Sequence, residues 1–284
     1  MLKQPVNITY ALLFLVLSML SCTQEEAEKS SPSESIMPVH ITALRRDFVD
    51  NAMKTRVTDS EDGTAVGSMW TAGDKISVAI TPLAEGETAW MACELNADGS
   101  VRSYEPQLLW KNTGRYVVNA WYSNIINNPT TENTIDISNQ TERLAYVMKA
   151  EQEEYIYYSK KRDDISLKFV HQLAKVRVKL TDGGNGNVDF TGAQVRIRDC
   201  YTTCTISSGV ITPQGKSNGK VTMMPPTAAN PYFEANVIPD EAGTERRKYA
   251  LEVTLNGRTQ TVDLAQTVTL EAGKAYTLNI TYRE

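Results

Sequence analysis

The stretch YALEVTLNGRTQTVDL, residues 249–264, decides the fold class because it has the pattern of a β-hairpin. Apolar and polar side chains alternate along it, as they do in strands that bury one face. Asn256-Gly257 separates the two alternating halves and is the dipeptide most typical of a two-residue hairpin turn. With that turn Leu251 faces Val262, so both strands place their apolar residues on one side and the register agrees with the pattern.

The same alternation recurs through most of the chain. It places apolar residues on one face along residues 76–80, 116–122 and 276–282. Helical periodicity is weak, and residues 142–148 would supply at most a short turn of helix. Many short strands with frequent Gly, Asn and Pro turns are typical of all-β proteins built from β-sandwiches.

One strand changes its phase partway. Apolar residues occupy odd positions in 167–173 and even positions in 174–180, and a straight strand cannot bury both sets. The change predicts a bulge or a sharp twist near residues 173–174. It also predicts that Lys175, Arg177 and Lys179 face solvent.

The domain organisation follows from composition along the chain. The charged run KKRDD at 160–164 lies between two patterned segments and predicts a domain boundary there. The segment 212–226 is rich in Gly and Pro and is interpreted as a long loop of the second half. The sequence therefore predicts a signal peptide (1–21), a lipidated flexible tether (22–38), an N-terminal β-sandwich domain (39–164) and a C-terminal β-sandwich domain (165–284).

The amino-terminal segment has the pattern of an export signal. Lys3 precedes an apolar run at 10–20, which is too short to cross a bilayer core of about 30 Å as a helix. Leu20-Ser21-Cys22 follows and resembles the lipobox of bacterial lipoproteins, in which the cysteine is acylated and becomes the new amino terminus. Lipidation of Cys22 would anchor an exported protein to a membrane. The alternative is an ordinary secretory signal in which Cys22 is incidental.

Charge and composition exclude some classes of protein. Hydrophobic residues make up 41% of the chain, which is ample for a packed core. The net charge is −5, and no cluster of Lys and Arg is interleaved with aromatic residues. Nucleic-acid binding needs a basic face, so it is disfavoured.

The cysteines and histidines predict neither a disulfide framework nor a metal site. Of the 4 cysteines, Cys22 is assigned to lipidation and Cys93 to the core. Cys200 and Cys204 would lie roughly 13 Å apart on a continuous strand, so we expect them to be unpaired or locally bridged across a bend. His40 and His171 are the only histidines, too few for a typical zinc site. No cofactor is expected.

An ordered set of short elements covers almost the whole mature chain. Taken together the set resembles the fimbrillin superfamily of Bacteroidales, in its fimbrillin-like branch. Each element also has a simple packing explanation, with tryptophans as large core residues and His171 as a hydrogen-bonded core histidine. Besides the lipobox, the elements are Thr55-Arg56, Trp70-x-x-Gly73-Asp74-x-Ile76-x-Val78, Leu109-Trp110, Ala120-Trp121-Tyr122, Phe169-x-His171-x-Leu173-x-Lys175-x-x-Val178 and Leu270-x-Ala272-Gly273-Lys274-x-Tyr276-x-Leu278-Asn279-Ile280.

The resemblance implies a structural pilus subunit made of two transthyretin-like sandwiches. Such a precursor is held at the outer membrane by its lipid, through Cys22 here. Its first strand fills a place in the sheet until a protease cuts after an arginine, and a strand from a neighbouring subunit then takes that place. Residues 39–44 match the placeholder strand, Arg56 matches the cleavage position best, and Arg46 is second. The final strand at 276–282 is a candidate donor, or it stays in its own sandwich.

Two other roles remain open, and catalysis is disfavoured. The chain fits a minor tip adhesin or anchor that binds a host or bacterial surface receptor. It also fits a non-polymerising surface lipoprotein that binds glycans through Trp90, Trp110 or Trp121. The sequence has no Gly-x-Ser-x-Gly elbow, phosphate loop or His-Glu-x-x-His motif, so we do not expect an enzyme.

Overall fold

Short β-strands joined by turns make up the described part of the chain. The computed structural model describes residues 37–45, 49–50, 69–110, 114–126, 132–151, 156–157, 165–184, 188–240, 248–264 and 268–283. Within these ranges there is no helix, and the predicted all-β class is confirmed. No helix in this described part is long and apolar enough to cross a membrane.

The strands are numbered in chain order. Their bounds are β1 (Met37–Pro38), β2 (Ile41–Arg45), β3 (Val49–Asp50), β4 (Lys75–Pro82), β5 (Ala89–Leu95), β6 (Val101–Glu105), β7 (Leu109–Trp110), β8 (Arg115–Ser123), β9 (Glu132–Asp136), β10 (Val147–Ala150), β11 (Ile156–Tyr157), β12 (Ile165–His171), β13 (Ala174–Asp182), β14 (Gln194–Cys200), β15 (Thr203–Ser207), β16 (Val210–Gln214), β17 (Gly219–Thr222), β18 (Phe233–Val237), β19 (Ala250–Leu255), β20 (Arg258–Asp263) and β21 (Lys274–Tyr282).

Several sheets share these strands. The largest has the order β2-β12-β10-β8-β4-β5-β6, with β11 also paired to β8. Two four-stranded sheets have the orders β18-β13-β21-β3 and β17-β14-β19-β20, and their buried side chains belong to one apolar core. A three-stranded sheet has the order β16-β15-β9. Antiparallel pairing dominates, but β2 is parallel to β12 and β21 is parallel to β13.

Main-chain pairing crosses the predicted boundary at 164–165. β12 begins directly after it and pairs with β2 and β10, while β9 pairs with β15. The division into domains 39–164 and 165–284 stays a prediction.

The hairpin predicted at 249–264 is confirmed as β19 and β20. Leu251 pairs with Val262, as the register required. Asn256 and Gly257 have φ values of 50° and 76°. Such positive φ angles at both central positions are those of the turn type that matches strand twist.

The phase change at residues 173–174 has a different cause from the expected bulge. β12 ends at His171 and lies in the largest sheet, whereas β13 begins at Ala174 and lies in another sheet. The chain therefore passes from one sheet to the next at Gln172-Leu173. Each set of apolar residues is buried in its own surroundings, so no single strand has to bury both.

The expected exposure of the three basic residues on β13 is wrong for Lys175. Its side chain is 3% exposed, and its Nζ lies 3.7 Å from Oε2 of Glu234 on β18. Arg177 is half-buried, and only Lys179 is exposed. Lys175 is buried because a carboxylate from the neighbouring strand meets it inside the protein.

The segment predicted as a long loop at 212–226 contains parts of two short strands. β16 includes its first residues and β17 forms its middle. Gly and Pro here mark the turns between short strands, which the composition alone does not separate from a loop.

The described cysteines form no disulfide with one another. Cys93, Cys200 and Cys204 are all buried. Burial raises the pKa of the Cys93 and Cys204 thiols to about 12. Both are therefore protonated core residues with little nucleophilic character.

Candidate functional site

The first long strand, β2, lies at the edge of the largest sheet with its inner face buried. Ile41 and Ala43 of β2 are buried, as is Val39 just before it, while Thr42 and Leu44 are exposed. This is the alternation that the sequence VHITAL dictates for a strand against a core. The strand predicted as the placeholder is thus a seated strand, and its groove is the candidate site.

Main-chain hydrogen bonds hold β2 on its β12 side. The two strands run parallel, with Ile41 opposite Ile165 and Arg45 opposite Phe169. The Ile165 N–H donates to the carbonyl of His40 over 3.0 Å. An edge of β12 would be left unpaired if β2 were absent.

The opposite side of β2 is held by the segment 96–108. The Ala43 N–H donates to the carbonyl of Gly99, and the Val39 N–H donates to the carbonyl of Leu108, both over 3.0 Å. The Gln107 side-chain amide donates to the carbonyl of Val39 at 3.0 Å. β2 is therefore fixed along both of its edges.

Gly99 allows the closest approach to β2. Its φ is 84°, and a Cβ atom at this position would overlap the carbonyl oxygen of Ala43 and lie 3.1 Å from Trp70 Cδ1. A side chain here would collide with the strand itself. The groove therefore accommodates β2 at this point only because residue 99 is a glycine.

At the end of β2, the side chain of Arg45 lies in an aromatic cage formed by Trp70, Tyr122 and Tyr146. Its guanidinium carbon is 4.7 Å from the Tyr146 ring centroid, 5.1 Å from Trp70 and 5.7 Å from Tyr122. Its Nη1 donates to the carbonyl of Met69 over 2.7 Å. Ring faces attract such a cation, and more strongly when water is excluded.

The motif Trp70-x-x-Gly73-Asp74 builds part of this cage. Tyr122 donates from its hydroxyl to Oδ1 of Asp74 over 2.7 Å, and the Thr71 N–H donates to Oδ2 of the same carboxylate over 2.8 Å. Burial, and secondarily the Asp74 carboxylate, raise the pKa of the Tyr122 hydroxyl. The turn therefore both begins β4 and orients a cage ring.

Ring contacts hold Trp70 against β8 and β12, next to β2. It packs edge-on against Tyr122 at 5.1 Å and against Phe169 at 5.4 Å between ring centroids. Its indole Nε1 donates to the carbonyl of Ala43 over 3.2 Å. Trp70 is thus a core residue, as its packing explanation predicts, and it contacts the candidate strand directly.

A buried charge cluster, formed by Lys175, Arg177 and Glu234, lies beside the cage. Nζ of Lys175 is 5.9 Å from the Tyr146 ring centroid, so two cations, Lys175 and Arg45, lie near this ring. Nε of Arg177 is 3.2 Å from Oε1 of Glu234. Burial lowers the pKa of Lys175, and the attraction of Glu234 opposes that shift.

The structure locates some of the predicted site residues and not others. Cys22, Arg46 and Arg56 lie outside the described residues, so their roles stay predictions. The candidate donor strand β21 lies between β13 and β3 in its own sheet, and its pairing with β13 runs from Ala275 to Tyr282.

The three tryptophans considered for sugar stacking do not form an exposed platform. Trp121 is 1% exposed and Trp110 is 8% exposed, while Trp90 is half-buried. The second face of β8 is covered, because Trp121 belongs to the same apolar core as Ile206 and Ile135. The expectation that Trp121 or Trp110 serves as an open stacking surface is therefore wrong.

His171 is buried, as expected of a core histidine, and packs at 5.8 Å against the ring of Tyr146. Among the residues that the structure describes, no group of His, Cys, Asp and Glu could hold a metal ion. Sequence reasoning missed Arg45 and Tyr146 as site residues. The one available signal was Gly73-Asp74 after Trp70, which reads alone as a turn.

Comparison with known proteins assigns the chain to a family. No curated protein sequence matches it. The fold is similar to a candidate cell adhesion protein of Bacteroides ovatus, with a TM-score of 0.60 and 17% identity over 88% of this chain and 93% of that one. It is also similar to a candidate cell adhesion protein of Bacteroides uniformis, with a TM-score of 0.56 and 18% identity over 86% and 94%. The sequence profile of the fimbrillin-like family matches residues 55–284, and the chain therefore belongs to that family.

Proposed function

We propose that the chain is a structural pilus subunit at the cell surface, exported as a lipoprotein precursor and assembled by protease-triggered β-strand exchange. Lipid on Cys22 holds the precursor at the outer membrane, and residues 39–164 and 165–284 act as two transthyretin-like sandwich domains. The family match and the fold shared with candidate cell adhesion proteins support a role at the surface.

One observation carries this proposal: the seating of β2. It stands at one end of the strand order of the largest sheet and precedes the family-matched region 55–284. Its inner side chains are buried, and its backbone is bonded to β12 on one side and to Gly99 on the other. Its removal would leave the β12 backbone unpaired beside an apolar slot. An incoming extended strand would satisfy both, which is the physical basis of β-strand addition.

The proposal needs a cut between β2 and the body of the protein. Arg46 and Arg56 follow β2 directly in the sequence, and a cut after either would separate Cys22 and β2 from Trp70 and the following strands. The partners are then other pilus subunits, with a host or bacterial surface receptor for the assembled fibre.

Treatment of the purified precursor with an arginine-specific protease is expected to give a new amino terminus at Asp47 or Val57. We expect no cut after Arg45, because its backbone is paired with Phe169 and its side chain lies in the aromatic cage. Amino-terminal mapping gives the cut, and chromatography with electron microscopy follows the size of the product. A double variant, R46Q with R56Q, is the control and should stay uncut and monomeric. A precursor that is fully cut there and remains monomeric would contradict polymerisation.

A second candidate role is a tip or anchor subunit of the same fibre. The integration of β21 between β13 and β3 favours it, because a subunit that keeps its last strand has no terminal strand to donate. The same digestion separates the two roles. A cleaved subunit that forms fibres alone is a stalk subunit, and one that only joins fibres of another subunit is a tip. A precursor that resists cleavage and keeps its lipid is an anchor.

A further inference from the structure

The aromatic cage belongs to the body of the protein and not to β2. Its rings come from the segment before β4, from β8 and from the segment before β10, and the fourth contact is the carbonyl of Met69. β2 contributes the guanidinium of Arg45, and its Ala43 carbonyl accepts a hydrogen bond from the Trp70 indole. If β2 leaves, these three rings and the Met69 carbonyl stay behind.

The cage is held in shape by contacts that do not involve Arg45. Tyr122 is fixed through Asp74, and Trp70 packs against Phe169. The Tyr146 N–H donates to the side-chain carbonyl of Asn124 over 2.7 Å. A cage braced in this way is pre-organised for its cation, which reduces the cost of binding a new one.

The chemistry of the cage favours arginine over other side chains. A planar guanidinium stacks on ring faces and donates to a carbonyl at the same time, whereas an ammonium group is a compact point charge. A neutral side chain gains neither attraction. The direct contacts to Arg45 therefore describe a guanidinium site rather than a general apolar pocket.

The groove also fixes where the arginine must stand on an incoming strand. Because side chains alternate, Arg45 shares a face with the buried residues Ile41 and Ala43. The groove thus fits apolar residues at alternate positions followed by an arginine on the same face. β21 lacks this pattern, since Arg283 falls on the face opposite to Tyr282.

We propose that the aromatic cage is a guanidinium-binding subsite that reads one arginine of an extended segment from another subunit. This inference rests on the proposed strand exchange and names the chemistry of the strand that replaces β2. That strand carries an arginine at the position of Arg45. A fibre would then admit subunits whose strands present this residue and reject others.

The test uses the full chain with a recognition sequence for a site-specific protease inserted after Arg56. The cleaved protein is challenged with an excess of a fluorescent peptide of residues 37–46, and binding is followed by anisotropy. Three variant peptides are compared with it: R45Q, R45K and T42Q. T42Q is the matched control because Thr42 is exposed on the same strand.

The parent and T42Q peptides are expected to bind equally. R45Q should bind about tenfold or more weaker, because it loses the cation–π contacts to three rings and the hydrogen bond to the Met69 carbonyl. R45K should fall between them. In a cleaved Tyr146→Leu protein the difference in affinity between the parent and R45Q peptides should be smaller. If that variant does not fold, the comparison of peptides on the unmodified cage decides alone. R45Q binding as tightly as the parent overturns the guanidinium subsite and leaves strand exchange standing. Failure of every peptide, including the parent, overturns strand exchange and the subsite with it.

Discussion

Replacing Glu234 by glutamine is expected to lower the free energy of unfolding by about 3–5 kcal/mol, since removal of one partner leaves a buried charge without its counter-charge. Glu234 and Lys175 have side chains only 5% and 3% exposed, so water cannot replace the lost carboxylate. Arg177 loses the same partner, although it keeps its stacking contact at 3.9 Å on the ring of Tyr232. Urea unfolding of the wild-type and variant proteins gives the difference.

A matched control for this substitution is Glu94→Gln. Glu94 pairs with Arg102 at 3.2 Å, but the arginine side chain is 65% exposed and the glutamate 27%. An ion pair of this kind contributes about 0–1 kcal/mol, because solvent screens it. Equal losses in E94Q and E234Q would contradict a special role for the buried charge cluster.

The stability deficit of the E234Q protein is expected to shrink as pH rises. Burial lowers the pKa of Lys175 in the folded state below its ordinary 10.5, and Glu234 opposes this shift. The variant lacks that opposition, so its folded-state pKa falls further. Between the folded and unfolded pKa values the unfolded chain binds more protons, and stability rises with pH. The pH range between the folded and unfolded pKa values of Lys175 is wider for the variant. The variant therefore recovers more stability than the wild type as pH rises. Urea unfolding at neutral and alkaline pH tests this, and a constant deficit would point to a lost packing contact instead of a charge.

Local sequence patterns predicted the strands because alternation acts over a few residues. The hairpin around Asn256-Gly257 was found in the expected register for this reason. The burial of Lys175 was not predictable in this way, because its partner Glu234 lies on a strand far along the chain. The alternating pattern predicts that a charged residue faces solvent, and only the folded structure shows a counter-charge opposite it.

The candidate site was half predictable for a similar reason. The buried alternation of Val39, Ile41 and Ala43 is local, and it indicated the strand correctly. The cage is not local, because its three rings come from separate segments that meet only in the folded protein. Arg45 resembled its neighbour Arg46 in sequence, and the structure gives it a different environment.

Gly99→Ala is the second large effect, with an expected loss of about 2–5 kcal/mol in the free energy of unfolding. One part is backbone strain, since an L-residue at a positive φ costs about 1–2 kcal/mol. The other part is the overlap of the new Cβ with the carbonyl of Ala43, which adds a steric cost of about 1–3 kcal/mol. Relief of that overlap requires either the 96–100 turn or β2 to move.

Gly192→Ala separates these two parts. Gly192 has a φ of 78°, close to the 84° of Gly99, but a Cβ there would meet nothing within 4 Å. It should therefore show the strain alone, and the difference between the variants reports the contact between Gly99 and β2.

A second readout is cleavage after Arg45, which we expect in the G99A protein and not in G192A. The overlap disturbs the backbone of Ala43, and Arg45 follows two residues later on the same strand. If both variants lose equal stability and neither exposes Arg45, then the turn at Gly99 does not hold the strand in place. If only G99A is cleaved after Arg45, the contact between Gly99 and Ala43 holds β2 in its groove and protects Arg45 from the protease.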